Sequence, residues 1–328
     1  MSEPMSVTSD VCLQAVLIPP QEARLRALCA LGDAPLRADV TGWHKYALVA
    51  QDRVFLLARH AEWQPGLERE LAAYDALNRV TGAPAPRLLG RWADPEVWPY
   101  PFGCVSRLPG IPFGAVEAGT STERHADLLE ELAARIAVWH ATPLDALPNA
   151  LRAAPVPEDA SWGRRALRAD QRRDVVDDLR TRLAAVGFDV PPTDDWVAPL
   201  AELADLTPVL VHGDVHEDQI LVADGDSLRI TGILDWETAR VDHPAWDFNF
   251  GEWGYPLWDH QDHFRAFRAR MWRAYGRVRG IPLPDYTCLH LFYALSDMAW
   301  RLDELAAGHQ TRDEVLAFCA GRLASLKA

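Results

Sequence analysis

"LVHGDVHEDQILVADGDSLRITGILDWE", residues 210–237, places His-Gly-Asp, a second His, two further acids and a Gln within eight residues, then returns to an Asp beside a Trp. Polar loops are common, but this one lies between apolar runs. "PVLV" leads into it, "ILV" follows it, and "LRITGIL" delivers the last Asp. Between the two later runs stands "ADGDS", whose Asp-Gly pair suits a tight turn, so the segment predicts strand, turn, strand. A hairpin brings the residues at its two bases together, here Gln219 and Asp235.

The spacing is His-x-Asp followed five residues later by an amide, then a hairpin, then a carboxylate. It follows the phosphotransfer template of protein kinases, His-Arg-Asp-x-x-x-x-Asn with a metal-binding Asp beyond. On that template Asp214 is the first Asp, Gln219 stands where the Asn belongs, and Asp235 is the metal-binding carboxylate. An amide and a carboxylate converging at one place can face a single Mg2+, which takes oxygen ligands. Asp214 is left to orient an incoming hydroxyl and accept its proton.

The arrangement resembles the aminoglycoside phosphotransferase family, a branch of the protein-kinase-like fold. "VHGDVHEDQILV" is similar to that family's catalytic loop and "GILDWETARVDHPAWDFNF" to its metal-binding segment. "LAARIAVWHATP" resembles its helix ending in His before a Pro, and "FGCVSRLPGIPF" its strand between lobes. The resemblance implies that His212 positions the loop, that Asp247 ties the loop down, and that Glu237 contacts a metal or the substrate. It also implies a strand cation for the phosphates held by a helix Glu. Arg59, at the end of "VFLLAR", is the expected cation and Glu70 its partner, with Glu68 as a rival. "TGWHKYAL" occupies the place of a phosphate-covering loop but offers only Gly42, and Lys45 is a further candidate for phosphate contact.

The implied fold is α+β and protein-kinase-like with two lobes. Residues 1–107 are the expected nucleotide-binding lobe, an antiparallel sheet with one helix and a linker strand near 103–110. Residues 108–328 are the expected helical lobe with catalytic loop and acceptor pocket. Local patterns agree with this. Tyr46–Ala50 and Val54–Leu57 read as strands around "QDR", and Leu67, Leu71, Tyr74 and Leu77 recur at helical spacing. Beyond residue 120, "TSTERHADLLEELAARIAVWHATP" opens with Thr120 and Glu123 at capping-box spacing, and "DASWGRRALRADQRRDVVDDLRTRLAAVG" reads as a helical region ended by Gly187.

Composition narrows the partners. A net charge of −14 over 328 residues, with no Lys/Arg cluster, argues against nucleic acid. The five cysteines are scattered and form no CxxC pair, so neither a zinc site nor a disulfide framework is indicated. No stretch of about 18 uninterrupted apolar residues reads as a membrane span. The first residues lack the basic and apolar regions of a secretory signal, so the expected compartment is the cytoplasm.

The expected partners are therefore a nucleotide, ATP or GTP, with Mg2+ as cofactor, and a small-molecule acceptor. Thirteen Trp, several with acids near them after the motif, favour a cationic acceptor such as an aminoglycoside or basic peptide antibiotic. Glu252, Trp253, Asp259 and Asp297 are the candidate contacts. A neutral acceptor (macrolide, choline-like alcohol or sugar) and a non-catalytic ligand-binding module are the alternatives, the latter because Gln219 replaces Asn. A metallophosphoesterase is disfavoured because no Gly-Asn dipeptide follows Asp214-Val-His216.

Overall fold

Pro19 and Pro20 open the first helix, α1 (Pro19–Leu28), where proline's fixed φ fits the first turn and its missing N–H costs nothing. The computed structural model describes residues 13–80, 82–152, 161–223, 228–248 and 261–327. They divide into two units: Met1–Ala115 with Asp145–Arg152 and Glu217–Ala239, and Val116–Leu144 with Ala153–His216 and Arg240–Ala328. The hairpin of the motif, at 217–239, is thus grouped with the N-terminal sheet.

In the first unit β1 (Arg37–Asp39), β2 (Lys45–Val49) and β3 (Arg53–Ala58) run antiparallel in sequence. Helix α2 (Gln64–Leu77) follows, then β4 (Leu88–Trp92) and β5 (Phe102–Ser106), giving the sheet order β1-β2-β3-β5-β4. Both faces of β3 are covered, which explains why it reads as a continuous apolar run. Phe55 and Leu57 join a core with Leu25 of α1. Leu56 alternates to the other face, opposite Gly103 of β5. That glycine lets α2 approach: a Cβ on Gly103 would lie 2.3 Å from the Leu71 side chain.

The Leu-Pro-Gly after β5 docks onto the motif hairpin. Strand β6 (Ile111–Pro112) begins there, and further along the chain come α3 (Thr122–His140) and the short α4 (Asn149–Arg152), the latter packed with α2. Ser121 caps α3 by accepting the Arg124 N–H at 3.4 Å. Thr120, the cap expected from spacing, instead donates its hydroxyl to the Val116 carbonyl.

The single helical region expected before Gly187 is two helices, α5 (Trp162–Leu167) and α6 (Arg172–Ala185). The polar "RADQRR" offers no apolar face to continue through, and Arg172 Nε donates to the Ala166 carbonyl to close α5. Gly187 sits at φ 104°, ending α6 as expected. Helix α7 (Thr193–Ala204) leads to β7 (Val209–Val211). The hairpin strands β8 (Ile220–Val222) and β9 (Ile230–Ile233) form a sheet ordered β6-β8-β9; the turn at 224–227 lies outside the described residues. Gly110, at φ 114°, allows this packing, since a Cβ there would meet the Val222 carbonyl at 2.6 Å. Thr231 Oγ1 donates to the Pro109 carbonyl at 2.6 Å.

Strand β10 (Arg240–Asp242) returns antiparallel to β7, a second ladder that local pattern did not reveal. Helices α8 (Gln261–Arg279), α9 (Tyr286–Ala306) and α10 (Arg312–Ser325) complete the second unit. Its core joins α3 to α8 and α9 to α7 and α10, with Trp139, Trp272, Tyr275, Phe292 and Tyr293 fully buried.

Replacing Gly103 with Val should drive a side chain into Leu71 and destabilise the first unit by about 1–3 kcal/mol. Urea unfolding measures this, and an unchanged midpoint would contradict the close approach of α2.

Candidate active site

In the first unit three elements deliver charge to one place. Strand β2 begins with Lys45, α2 presents Glu70 on its buried face, and the turn after β9 carries Asp235 and Glu237. Lys45 Nζ donates to Glu70 Oε2 at 2.7 Å, to Asp235 Oδ1, and to Glu237 Oε2 at 3.2 Å. The remaining oxygens are held as well. Tyr74 donates to Glu70 Oε1 at 2.7 Å, His44 Nδ1 meets Glu237 Oε1, and Gln219 Nε2 donates to Asp235 Oδ2 at 3.1 Å. His44 itself is stacked on Trp63, with ring centroids 3.8 Å apart. Burial works against the charge on Lys45, but Glu70, Asp235 and Glu237 outweigh it and its pKa is raised. Burial also raises the pKa of Glu70, which Lys45 counters only in part.

Asp235 sits at φ 63°, ψ 60°, a left-handed conformation that side chains with a Cβ rarely take. It turns the chain sharply after β9 so that both its own carboxylate and that of Glu237 reach Lys45. Arg69 of α2 fixes the turn by donating to the Glu237 carbonyl at 2.9 Å. Glu70, Asp235 and Glu237 each bring an oxygen within 4.8 Å of the others. Three carboxylates and one ammonium carry two negative charges between them, and hard oxygen donors suit Mg2+. The residues therefore fit a divalent cation. Gln219 turns its amide nitrogen, not its oxygen, toward Asp235, and so acts here as a hydrogen-bond support for that carboxylate.

In the second unit the loop after β7 is anchored on a buried carboxylate. Asp247 has no exposed surface, and its Oδ2 accepts from Trp139 Nε1 at 2.7 Å, His140 Nε2 at 2.9 Å and the His212 N–H at 3.0 Å. Its Oδ1 accepts the Gly213 N–H at 2.7 Å. Burial pushes its pKa up, yet the bonds and charge from His140, with His212 and the Gly213 N–H, hold it below the ordinary value. Burial lowers the pKa of His140 despite Asp247 beside it. A neutral His140 must then carry its proton on Nε2 and accept from the Tyr275 hydroxyl, 2.9 Å away, at Nδ1. His212, fully buried, accepts the Asp214 N–H at Nδ1, 3.2 Å away, and so stiffens the loop that carries half-buried Asp214.

The expected pairing of Arg59 with Glu70 is not made. Arg59 lies over the Tyr46 ring, 4.4 Å from its centroid, and donates to the Val40 carbonyl. Register explains it. Lys45 is opposite Ala58 on the face toward α2, and Arg59, one residue on, belongs to the opposite face with Leu57 and Tyr46. Lys45 takes the Glu70 partnership instead, while Glu68, the rival, is exposed. Asp297, expected at the acceptor, is buried and joined to Arg322 at 2.6 Å, so its charge is already neutralised. Glu252, Trp253 and Asp259 lie outside the described residues. His44, Tyr74, Trp139, His140 and Tyr275 were given no role from sequence. The traces of them were Tyr74, at helical spacing, and Trp139 and His140 in "LAARIAVWHATP", the match to a helix ending in His before a Pro.

A model of the phosphotransferase enzyme family matches residues 37–317, and the chain belongs to that family. Its kinase-like fold is shared with solved structures. The GDP complex of wild-type aminoglycoside 2'-phosphotransferase-IIIa is 17% identical with TM-score 0.56, over 94% of this chain and 98% of that one. The ADP-bound aminoglycoside phosphotransferase APH(2'')-Ib is 15% identical with TM-score 0.55, over 94% and 97%. The apoenzyme of a macrolide 2'-phosphotransferase from Brachybacterium faecium is 24% identical with TM-score 0.55, over 90% and 96%. Among the curated proteins none matches the sequence. Among the described residues no helix is long and apolar enough to cross a membrane.

Both shifts at the buried hub have the same sign for stability. His140 and Asp247 have lowered folded pKa values, so the unfolded chain binds more protons as pH falls. Their contribution is complete above about pH 6.5, erodes first through His140, and falls further below about pH 4 as Asp247 protonates. Asp247→Asn should lose roughly 3–5 kcal/mol at neutral pH and show a shallower loss of stability below pH 4. Urea unfolding across pH checks both; an unchanged acid slope would remove Asp247 as the anchor.

Proposed function

We propose that this phosphotransferase moves the terminal phosphoryl group of ATP or GTP to a hydroxyl of a small cationic acceptor of the aminoglycoside type, with Mg2+ as cofactor. The observation that carries the reading is Lys45 held jointly by Glu70 of α2 and Asp235 of the loop after β9. A lysine braced by a helix glutamate is a phosphate-binding cation, and a loop aspartate beside it is a metal-binding carboxylate.

In this reading Lys45 binds nucleotide phosphate oxygens while Glu70, backed by Tyr74, keeps its ammonium aimed. Asp235 and Glu237 are the residues that would hold Mg2+, and Gln219 steadies Asp235. Bound Mg2+ supplies charge neutralisation on the phosphate oxygens. Asp214 orients the acceptor hydroxyl and takes its proton as the oxygen bonds to the γ-phosphorus and the bond to the β–γ bridging oxygen breaks, releasing nucleoside diphosphate. Asp247 and His212 keep the backbone beneath Asp214 in place. The work of the chain is positioning and electrostatics.

The acceptor class is supported by the net charge of −14 and by the aminoglycoside enzymes among the similar structures. The macrolide enzyme, at 24% identity, supports a macrolide as the second reading.

Release of nucleoside diphosphate should be measured with ATP and GTP separately, with Mg2+, against aminoglycosides, basic peptide antibiotics and macrolides. Stimulation by an aminoglycoside is expected; stimulation by macrolides alone would shift the acceptor, and none from any acceptor would overturn the reading. Asp214→Asn should cut turnover by roughly 10²- to 10⁴-fold with nucleotide affinity retained. Asp235→Ala should abolish metal-dependent nucleotide binding. Lys45→Met should raise the KM for nucleotide at least about tenfold, whereas Arg59→Met should not. The reverse pattern would restore Arg59 as the phosphate cation.

A further inference from the structure

Within the second unit a cavity of about 320 Å³ lies against α5, α9 and α10. Its volume is in the range of sites for small molecules. Trp162, Trp246, Trp300 and Phe318 line it with aromatic surface, and Ser296 and Arg301 add polar groups. None of these residues has been assigned to phosphoryl transfer.

The charges around the cavity are unequally satisfied. Its two acids are already paired, Asp297 with Arg322 at 2.6 Å and Asp303 with Arg182 at 2.6 Å. Arg301 forms no ion pair among the described residues. Glu314, near enough to feel its charge, is taken up by its own capping box with Thr311. The Arg301 guanidinium instead lies 4.7 Å from the ring centroids of both Trp300 and Phe318. Stacking of this kind fixes the plane of the guanidinium and leaves its N–H edge for an in-plane acceptor. The indole Nε1 of Trp246 and the Ser296 hydroxyl are buried atoms with no hydrogen-bond partner among the described residues, as is Arg301 Nε. Two of the three are obligatory donors, and the hydroxyl donates as readily as it accepts.

Aromatic walls, a stacked and unpaired guanidinium, and buried donors select a flat apolar ligand bearing an anionic acceptor. The geometry points to this cavity as a binding site for a small aromatic carboxylate, its ring against the tryptophans and its carboxylate on Arg301. Such a ligand is opposite in charge to the proposed phosphate acceptor, so the site is additional to the one that carries phosphoryl transfer.

The test is isothermal titration of the full-length protein with 2-naphthoate, 2-naphthamide and 2-naphthylmethylamine as probes. Saturable one-site binding of the carboxylate is expected, with the amide weaker and the amine absent. Arg301→Gln should weaken the carboxylate at least about tenfold, the loss of a charge-assisted bidentate contact. Ser296→Phe should fill the cavity and abolish binding, with thermal melting checking that it folds. If it does not fold, Arg301→Gln and the probe series decide. Saturating ATP with Mg2+ should leave the affinity unchanged. No binding by the carboxylate, equal binding by amide or amine, indifference to Arg301→Gln, or displacement by ATP would each overturn the assignment.

Discussion

One half-buried ammonium organises the first unit's chemistry. Lys45 answers to carboxylates from a helix and from the turn after a hairpin. Remove it and three acids remain in a place with little water to separate them, which is why its charge is so strongly retained. The same mutual dependence suits a phosphate site. Under the proposed function, the ammonium would exchange some of these acids for phosphate oxygens, and an acid so released would be free for a metal ion.

The second unit solves a different problem with the opposite chemistry. Asp247 is not balanced by a formal cation but saturated by four donors, two from side chains at the end of α3 and two from the backbone of the loop. A carboxylate with its lone pairs so filled is fixed in orientation, and it fixes the N–H groups that feed it. The loop holding Asp214 is therefore specified by a buried acid more than thirty residues later in the chain, and by Trp139 and His140 far earlier.

This separation governs how much was legible in the sequence. The hairpin with its polar bases could be read because strand, turn and carboxylate spacing all lie within one short stretch. The cation that pairs with Glu70 could not. Both faces of β3 are apolar, so nothing in "VFLLAR" says which parity faces α2, and a one-residue choice separates Arg59 from Lys45. The β7–β10 ladder was equally hidden, since each strand has three residues and neither alternates visibly. The ion pair of Asp297 was hidden for a related reason: its partner Arg322 sits on another helix, and pairing between helices leaves no mark on local composition.

Under the proposed function, the left-handed backbone of Asp235 sets protein stability and enzyme chemistry against each other at one position. Glycine takes φ 63° without steric cost, so Asp235→Gly relaxes the chain while deleting a carboxylate that Lys45 expects. The turn is held in shape by a residue less suited than glycine, on backbone grounds, to stand there. A laboratory lineage selected for heat resistance alone is therefore expected to drift toward that exchange and yield a sturdier but silent protein, whereas one selected for turnover must keep the aspartate and find its robustness elsewhere.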